Sequence, residues 1–196
     1  MPEPRRLILA STSAYRRELL GRLGLAFECV RPEVDETPIP GEAPALTAQR
    51  LATLKARSAA GRFPDALIIG SDQVAVLGAR RLDKPGNRAN ALAQLGELSG
   101  KVAEFHTAVS LLDAPSTRLW TRVVACRVRF REISRAQIET YLDREQPFDC
   151  AGSAQSEGLG IALIAAVQTD DPTSLIGLPL IALTELLARA GMPVLG

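Results

Sequence analysis

The sequence contains few of the residues on which several common catalytic sites depend. His106 is the only histidine among 196 residues, which excludes a histidine-rich zinc site and any Ser-His-Asp triad that does not use it. Cys29, Cys126 and Cys150 form no Cys-x-x-Cys pair, so we expect reduced core residues. No stretch approaches the roughly 18 uncharged apolar residues of a membrane span, which predicts a cytoplasmic protein with no membrane partner.

An excess of one charge sign is also absent. The chain has 23 Lys and Arg against 22 Asp and Glu, a formal net charge of +1. This balance excludes a generally basic surface, so we expect no nucleic acid polymer as a partner. Lysine is scarce, with only Lys55, Lys84 and Lys101. Chemistry in this chain therefore depends on carboxylates, arginines and these few lysines.

Apolar segments alternate between strand-like and helix-like periods along the whole length, which predicts a single α/β domain over residues 1–196. A buried strand at residues 7–10 leads into a helix capped by residues 11–13. Apolar residues alternate with arginines at residues 126–131. This period of two predicts a strand with one solvated face, typical of a mixed or antiparallel sheet. Helices are further predicted at 45–60, 87–98, 136–144 and 179–190, and strands at 66–77, in two runs within 102–133, and at 161–167.

Two segments suggest a site for phosphate and metal. Hydroxyls and arginines at residues 11–17 lie at a helix N-terminus, where backbone N–H groups can bind an anion. Taken alone, a simple serine cap with solvated arginines is the commoner explanation of this pattern. Residues 33–36 hold three carboxylates, which suit Mg²⁺. An ordinary acidic surface loop is the alternative.

Two more segments place single carboxylates in unusual surroundings. Asp72 follows Gly70 and Ser71 inside an apolar strand, where a carboxylate must be neutralised, hydrogen-bonded or bound to metal. Glu157 lies in a Gly-rich loop at residues 150–158, where the backbone can approach a ligand or merely connect two elements.

Together these motifs resemble the Maf family of nucleotide pyrophosphatases over practically the whole chain. The segments that carry the resemblance are Ser-x-Ser-x-x-Arg-Arg from Ser11, Val34-Asp35-Glu36, Gly70-Ser71-Asp72-Gln73, Lys84-Pro85, Ala151-Gly152 and Gly177-Leu178-Pro179-Leu180. Residues 27–29, 32–38, 68–74 and 150–158 are similar to the 7-methyl-GTP pyrophosphatase subgroup. Related sequences of that subgroup often have Trp at the position of Tyr15.

The resemblance implies a fold, a reaction and a set of residue roles. The fold would be an elongated mixed sheet flanked by helices with a central cleft, similar to the inosine triphosphate pyrophosphatases. The reaction would be hydrolysis of 7-methyl-GTP at the α-phosphate, assisted by a divalent cation (Mg²⁺, Mn²⁺ or Co²⁺). The implied roles are Asp72 as proton acceptor, Glu36 and Asp72 at the metal, Ser11, Ser13, Arg16, Lys55 and Lys84 along the phosphates, and Tyr15, Gln73 and Glu157 at positions for substrate choice.

The resemblance leaves two alternatives open and implies an oligomer. A dTTP/UTP pyrophosphatase would share the same machinery. A nucleotide-binding regulator of cell division or septum formation would need no metal-ready cleft, so the combination of Asp72, Glu36, Lys55 and Lys84 favours catalysis. A homodimer is implied by the resemblance alone.

Overall fold

The computed structural model describes residues 5–195, which form a mixed α/β structure. The helices are α1 (Ala14–Gly21), α2 (Pro44–Ser58), α3 (Arg88–Leu98), α4 (Arg135–Glu145) and α5 (Leu180–Arg189). The strands are β1 (Leu7–Ala10), β2 (Glu28–Val30), β3 (Leu67–Leu77), β4 (Arg80–Leu82), β5 (Val102–Asp113), β6 (Arg118–Phe130) and β7 (Ile164–Gln168). Short 3-10 turns lie at Ala151–Ser153, Leu159–Leu163 and Pro172–Ser174.

Within residues 5–195, seven strands form one sheet in the order β2-β1-β3-β5-β6-β7, with β4 paired to β3. The pairs β1 with β2 and β1 with β3 are parallel, whereas β3 with β4 and β6 with β7 are antiparallel. The predicted mixed sheet flanked by helices is therefore confirmed. The elongated outline and the central cleft stay predictions.

The chain divides into two compact units. The first contains residues 1–73, 107–124 and 171–196, and the second contains residues 74–106 and 125–170. The single domain over residues 1–196 stays a prediction.

The first unit is built around the alternating side chains of β1 and β3. Leu7, Leu9, Leu67 and Ile69 belong to one apolar cluster, together with residues of α1 and α5. Their neighbours Ile8, Ala10 and Ile68 belong to a second cluster, which includes Ala56 of α2. Because successive side chains of a strand point to opposite faces, each face of these two strands packs against its own helices. Even-numbered residues of β3 thus face α2, and odd-numbered residues face the side of α1 and α5.

The second unit contains α3, α4, β4 and β7. Ser134 caps α4 by accepting a hydrogen bond from the Gln137 amide, and the Gln137 side chain accepts one from the Ser134 amide. This reciprocal pair is the capping box that the sequence predicts. In β6, Cys126, Val128 and Phe130 are buried while Arg127 and Arg129 are exposed, which confirms the strand with one solvated face.

Most predicted elements agree with the structure to within a few residues, and two kinds of difference occur. The strands β2 and β4 have three residues each, too few to show a periodic pattern. The strand predicted at 161–167 begins only at Ile164, because Leu159–Leu163 form a 3-10 turn. A Cβ on Gly160 would lie 2.5 Å from the backbone nitrogen and oxygen of Gln155, so the chain folds tightly onto itself there. None of the helices within residues 5–195 has the length and apolar content of a membrane span.

Candidate active site

The centre of the first unit is a buried contact between β3 and α2. Asp72 is 7% exposed and Lys55 is 6% exposed. The Lys55 Nζ donates a hydrogen bond to Asp72 Oδ1 at 2.6 Å. It also lies 3.0 Å from Oε1 of Glu36, whose side chain is 54% exposed. One ammonium group thus lies between two carboxylates, and one of these is buried.

The sequence of β3 explains why Asp72 faces Lys55. Ile68, Gly70 and Asp72 lie on the face of the strand that packs against α2. A Cβ on Gly70 would overlap the carbonyl oxygen of Ala52 and lie 2.5 Å from the amide nitrogen of Ala56. Only glycine allows α2 to approach β3 so closely. Lys55 lies between these two alanines on the helix, so the approach places its side chain against Asp72.

The opposite face of β3 bonds to the loop before α5. The Ser71 hydroxyl lies within hydrogen-bond distance of the carbonyls of Ala108 (2.8 Å) and Gly177 (3.0 Å). The Gln73 Nε2 lies within 3.0 Å of the Thr107 hydroxyl and of the carbonyls of Ser174 and Leu175. The amide nitrogen of Gln73 is therefore engaged by the protein itself, and its Oε1 is the side-chain atom left for a substrate.

Arg16 of α1 is the second cation of this centre. Its Nε donates to the Gly177 carbonyl at 2.8 Å, and its side chain is half-buried. Burial lowers the pKa of Arg16 from its ordinary value, while the charges of Asp72 and Glu36 act in the opposite direction. The effect of both carboxylates places Arg16 in the same electrostatic neighbourhood as Lys55.

The serines before α1 have local roles. The Ser13 Oγ accepts from the amide of Arg16 at 3.4 Å and so caps α1. The buried Ser11 accepts from the amide of Ser13 at 3.2 Å. Both hydroxyls thus order the turn between β1 and α1, as the simpler interpretation of the sequence expects. Tyr15 is half-buried in the first turn of the helix.

Comparisons with known proteins give the same family as the sequence motifs. The family model described as "Maf-like protein" matches residues 6–190. The chain belongs to the Maf-like protein family. The resemblance inferred from the sequence motifs is confirmed.

Several curated relatives of this Maf-like chain are named 7-methyl-GTP pyrophosphatase. The one from Thiobacillus denitrificans (strain ATCC 25259 / T1) is 56% identical over 96% of this chain and 94% of its own. The one from Burkholderia pseudomallei (strain 1710b) is 54% identical over 98% and 91%. The one from Nitrosococcus oceani is 53% identical over 99% and 98%. Among solved structures, the Staphylococcus aureus Ham1 protein aligns over 65% of this chain and 73% of that chain, with a TM-score of 0.46 and 16% identity.

Two predicted substrate residues of this Maf-like chain lie in the second unit. Lys84 and Glu157 are both exposed. Burial raises the pKa of the Cys150 thiol to about 12, with smaller upward contributions from Asp149 and Glu157 and a downward one from Lys84. Lys84 and Glu157 therefore lie near the same Cys150 segment of this unit.

The loop that carries Glu157 is held by α4. The Tyr141 hydroxyl accepts from the amide of Gln155 at 3.0 Å, and Glu145 accepts from the amide of Leu159 at 3.2 Å. A Cβ on Gly158 would overlap the Glu145 carboxylate, so the backbone of this loop passes directly beside that side chain. A separate pocket of about 360 Å³ beside α4, lined by residues such as Ile133, Thr140 and Leu163, includes none of the predicted site residues.

The structure adds residues that the sequence did not identify as part of the site. Thr107 and Gly177 hold Gln73, Ser71 and Arg16 in place. Gly177 has a φ of +125°, a backbone conformation that residues other than glycine rarely adopt. The sequence shows the glycine but not this backbone conformation. Arg50 and Glu42 form an ion pair beside the acidic segment. A charged pair eight residues apart across a helix start has no recognisable pattern in the sequence.

Proposed function

We propose that the chain is a nucleoside triphosphate pyrophosphatase that hydrolyses 7-methyl-GTP to 7-methyl-GMP and pyrophosphate. Clearing modified nucleotides is the corresponding cellular role. The observation that carries the proposal is the buried Lys55 between Asp72 and Glu36, in a chain that is 53–56% identical to relatives of that name. Two cations and two carboxylates at one centre suit a reaction on a polyphosphate.

The cations of the first unit would bind the phosphates. The Arg16 Nε is engaged by Gly177, so its terminal nitrogens remain for a phosphate oxygen. Lys55 is a compact charge that can move from its carboxylates to a phosphate. Ser11 and Ser13 order the turn that presents the start of α1 to the same anion. Lys84 of the second unit is a further proposed phosphate cation.

Asp72 is the proposed proton acceptor for water. Its Oδ1 accepts from Lys55, whereas its Oδ2 has no hydrogen-bond partner within residues 5–195. A carboxylate that is held through one oxygen can use its other oxygen to orient a water molecule and accept its proton. The water attacks the α-phosphorus, the bond to the bridging oxygen breaks, and pyrophosphate leaves with the released electron pair. No covalent intermediate is required.

The donor set at this centre fits a divalent cation. Glu36 and Asp72 lie 3.0 and 2.6 Å from the same Lys55 Nζ, so their oxygens converge on one point. The described residues contain no group of three or more His, Cys, Asp or Glu side chains that could hold a metal. Mg²⁺ is commonly bound by one or two carboxylates together with substrate phosphates, which matches this arrangement, and Mn²⁺ or Co²⁺ could replace it. Such an ion supplies positive charge to the reacting phosphate.

The acidic residues next to Glu36 differ in availability. Oδ1 of Asp35 accepts from both the amide and the hydroxyl of Thr37, at 2.9 and 2.5 Å. These hydrogen bonds lower the pKa of Asp35. Asp35 thus shapes its own turn, which leaves Glu36 as the residue of this segment that reaches Lys55.

Recognition of the base is the proposed role of Tyr15, Gln73 and Glu157. Methylation at N7 gives guanine a positive charge, so an aromatic ring gains cation–π attraction and a carboxylate can accept from the N–H edge of the base. Tyr15 and Glu157 offer these groups, and Gln73 offers its free Oε1.

The deciding experiment measures products from a panel of 7-methyl-GTP, GTP, dTTP, UTP and CTP with Mg²⁺. We expect 7-methyl-GTP to give the highest kcat/KM, with pyrophosphate and a nucleoside monophosphate as the only products. In ¹⁸O-labelled water, attack at the α-phosphorus places the label in the monophosphate. Preference for dTTP or UTP, label in pyrophosphate, or release of inorganic phosphate would each contradict the proposal.

The base-recognition roles are tested by Tyr15→Ala and Glu157→Gln. Both changes should lower kcat/KM for 7-methyl-GTP more than for residual dTTP, since only the methylated base carries the positive charge. Glu185→Gln, which makes the same change at an exposed carboxylate of α5, is the control. Equal losses on both nucleotides would exclude Tyr15 and Glu157 from base recognition.

A further inference from the structure

The acidic loop, defined as residues 31–43, contains no helix or strand and carries Glu36. It is attached to α2 and to the turn after that helix at three points. At its start, the Arg62 side chain donates to the Arg31 carbonyl at 2.9 Å. In its middle, Glu36 pairs with Lys55. At its end, Glu42 contacts α2 directly.

The contact at Glu42 is the most fully bonded of the three. The Arg50 Nε donates to Glu42 Oε1 at 2.8 Å, and the Arg50 Nη2 donates to Oε2, also at 2.8 Å. The buried Thr47 donates to the same Oε2 at 2.9 Å. The side chains of Arg50 and Glu42 are 24% and 12% exposed. A two-point guanidinium–carboxylate contact fixes direction as well as distance, which a lysine cannot do.

The same pair lies within electrostatic reach of the site. The hydrogen bond to Glu42 raises the pKa of Arg50, and the charges of Asp35 and Asp72 add to that effect. Arg50 therefore lies near carboxylates of both the acidic loop and β3. Lys55 is five residues further along α2, so one helix holds the end of the loop through Arg50 and its middle through Lys55.

We propose that Arg50 and Glu42 are positioning residues that hold the acidic loop against α2, so that Glu36 stays beside Lys55 and Asp72. The inference rests on the proposed function in so far as Glu36 is a metal ligand. It assigns no contact with substrate to Arg50. The competing role is local: Ala43, the residue before α2, makes no side-chain capping bond, so the pair could serve only to stabilise the start of the helix.

Hydrogen exchange of the protein without metal or nucleotide separates these roles. In Arg50→Ala, the hydrogen-bonded amides of Thr37 and Glu42 in the acidic loop should exchange faster by about tenfold or more, because a charge-assisted two-point contact is lost. Amides of α2 should keep their protection. Arg57→Ala is the matched control, since Arg57 is an exposed arginine of the same helix, and it should match the wild type. Equal exchange at 31–43 in both variants, or an equal loss of protection throughout α2, would overturn the proposal.

Two further readouts complete the test. The Mg²⁺ concentration for half-maximal hydrolysis should rise about 10- to 100-fold in Arg50→Ala, as for other residues that orient a metal ligand. Arg50→Lys should recover part of both effects, and it replaces Arg50→Ala in the test if the alanine variant is globally destabilised. Loss of protection throughout the Arg50→Lys protein would again overturn the proposal. A wild-type protein that hydrolyses no nucleotide, but whose variants show the expected exchange, would refute the proposed function and leave the positioning role standing.

Discussion

The strands β3 and β6 both carry polar side chains between apolar neighbours, and they accommodate them in opposite ways. In β6, Arg127 and Arg129 are exposed, and Arg127 lies 3.4 Å from the exposed carboxylate of Glu104. In β3, Ser71 and Asp72 are buried and bonded to other parts of the chain. A polar group removed from water must regain its hydrogen bonds within the protein. The partners of β3 come from α2, from β5 and from the loop before α5, so burial of these residues draws distant segments into one site.

Replacing the carboxylate of Asp72 should give the largest effect. Asp72→Asn keeps the shape of the side chain but removes the proton acceptor, so kcat should fall by about 10²- to 10⁴-fold. Circular dichroism and nucleotide binding should remain close to those of the wild type. Asp143→Asn, at an exposed carboxylate paired with Arg88, is the control and should retain full activity. Near wild-type turnover of Asp72→Asn would remove Asp72 from its proposed role.

Removing the ammonium group of Lys55 should show how much stability is lost when a buried carboxylate has no counter-ion. Lys55→Met leaves Asp72 buried and uncompensated, and we expect the free energy of unfolding to fall by about 3–5 kcal/mol. Urea denaturation at neutral pH measures this change. Lys101→Met, at an exposed lysine, should leave the midpoint unchanged. A similar small effect of both variants would mean that the contact between Lys55 and Asp72 contributes little to stability.

The close approach of α2 to β3 is tested by Gly70→Ala. The added Cβ meets the backbone of Ala52 and Ala56, so stability should fall by about 1–3 kcal/mol. Displacement of Lys55 from Asp72 should lower kcat as well. Gly61→Ala introduces the same methyl group where no atom lies within 4 Å, and it should do neither. Unchanged activity in a destabilised Gly70→Ala protein would separate helix packing from the position of Lys55.

The exposed face of β6 should give the smallest effect. Arg129→Gln should alter stability by less than about 0.5 kcal/mol, since this exposed side chain of β6 has no buried contact. Activity should also be unchanged. A loss comparable to that of Lys55→Met would mean that the two strands do not differ in the way described.

The contrast between these strands also shows what the sequence could predict. Alternation identified the solvated face of β6, and the position of Asp72 among apolar residues identified a carboxylate in need of a partner. The identity of that partner could not be predicted from the residues alone. Lys55, taken by itself, is consistent with a solvated helix face, whereas the structure buries it. Its burial follows from Gly70, whose missing side chain admits α2, and no local pattern links residues 15 positions apart. The Maf resemblance, in contrast, implied that Lys55 belongs to the site.

Hydrogen bonds and ion pairs between distant segments also could not be predicted elsewhere in the site. The sequence singled out Gln73, but not the carbonyls of Ser174 and Leu175 that hold its amide nitrogen. It singled out residues 33–36, but not the pair of Glu42, at the end of the acidic loop, and Arg50 of α2. Both contacts depend on where separate elements meet. Short elements such as β2 also escape prediction, because their pairing with β1 defines them rather than their own composition.

The contact of Lys55 with two carboxylates has a consequence for the protein at rest. The ammonium group is a counter-ion that the chain itself supplies, and together with Arg16 it offsets the two negative charges of Asp72 and Glu36. A fold with such an internal counter-ion does not rely on a bound metal to hold its acidic residues together. Treatment with a chelator should therefore leave the melting temperature unchanged. The protein can be stored without metal, which is then added only for the reaction.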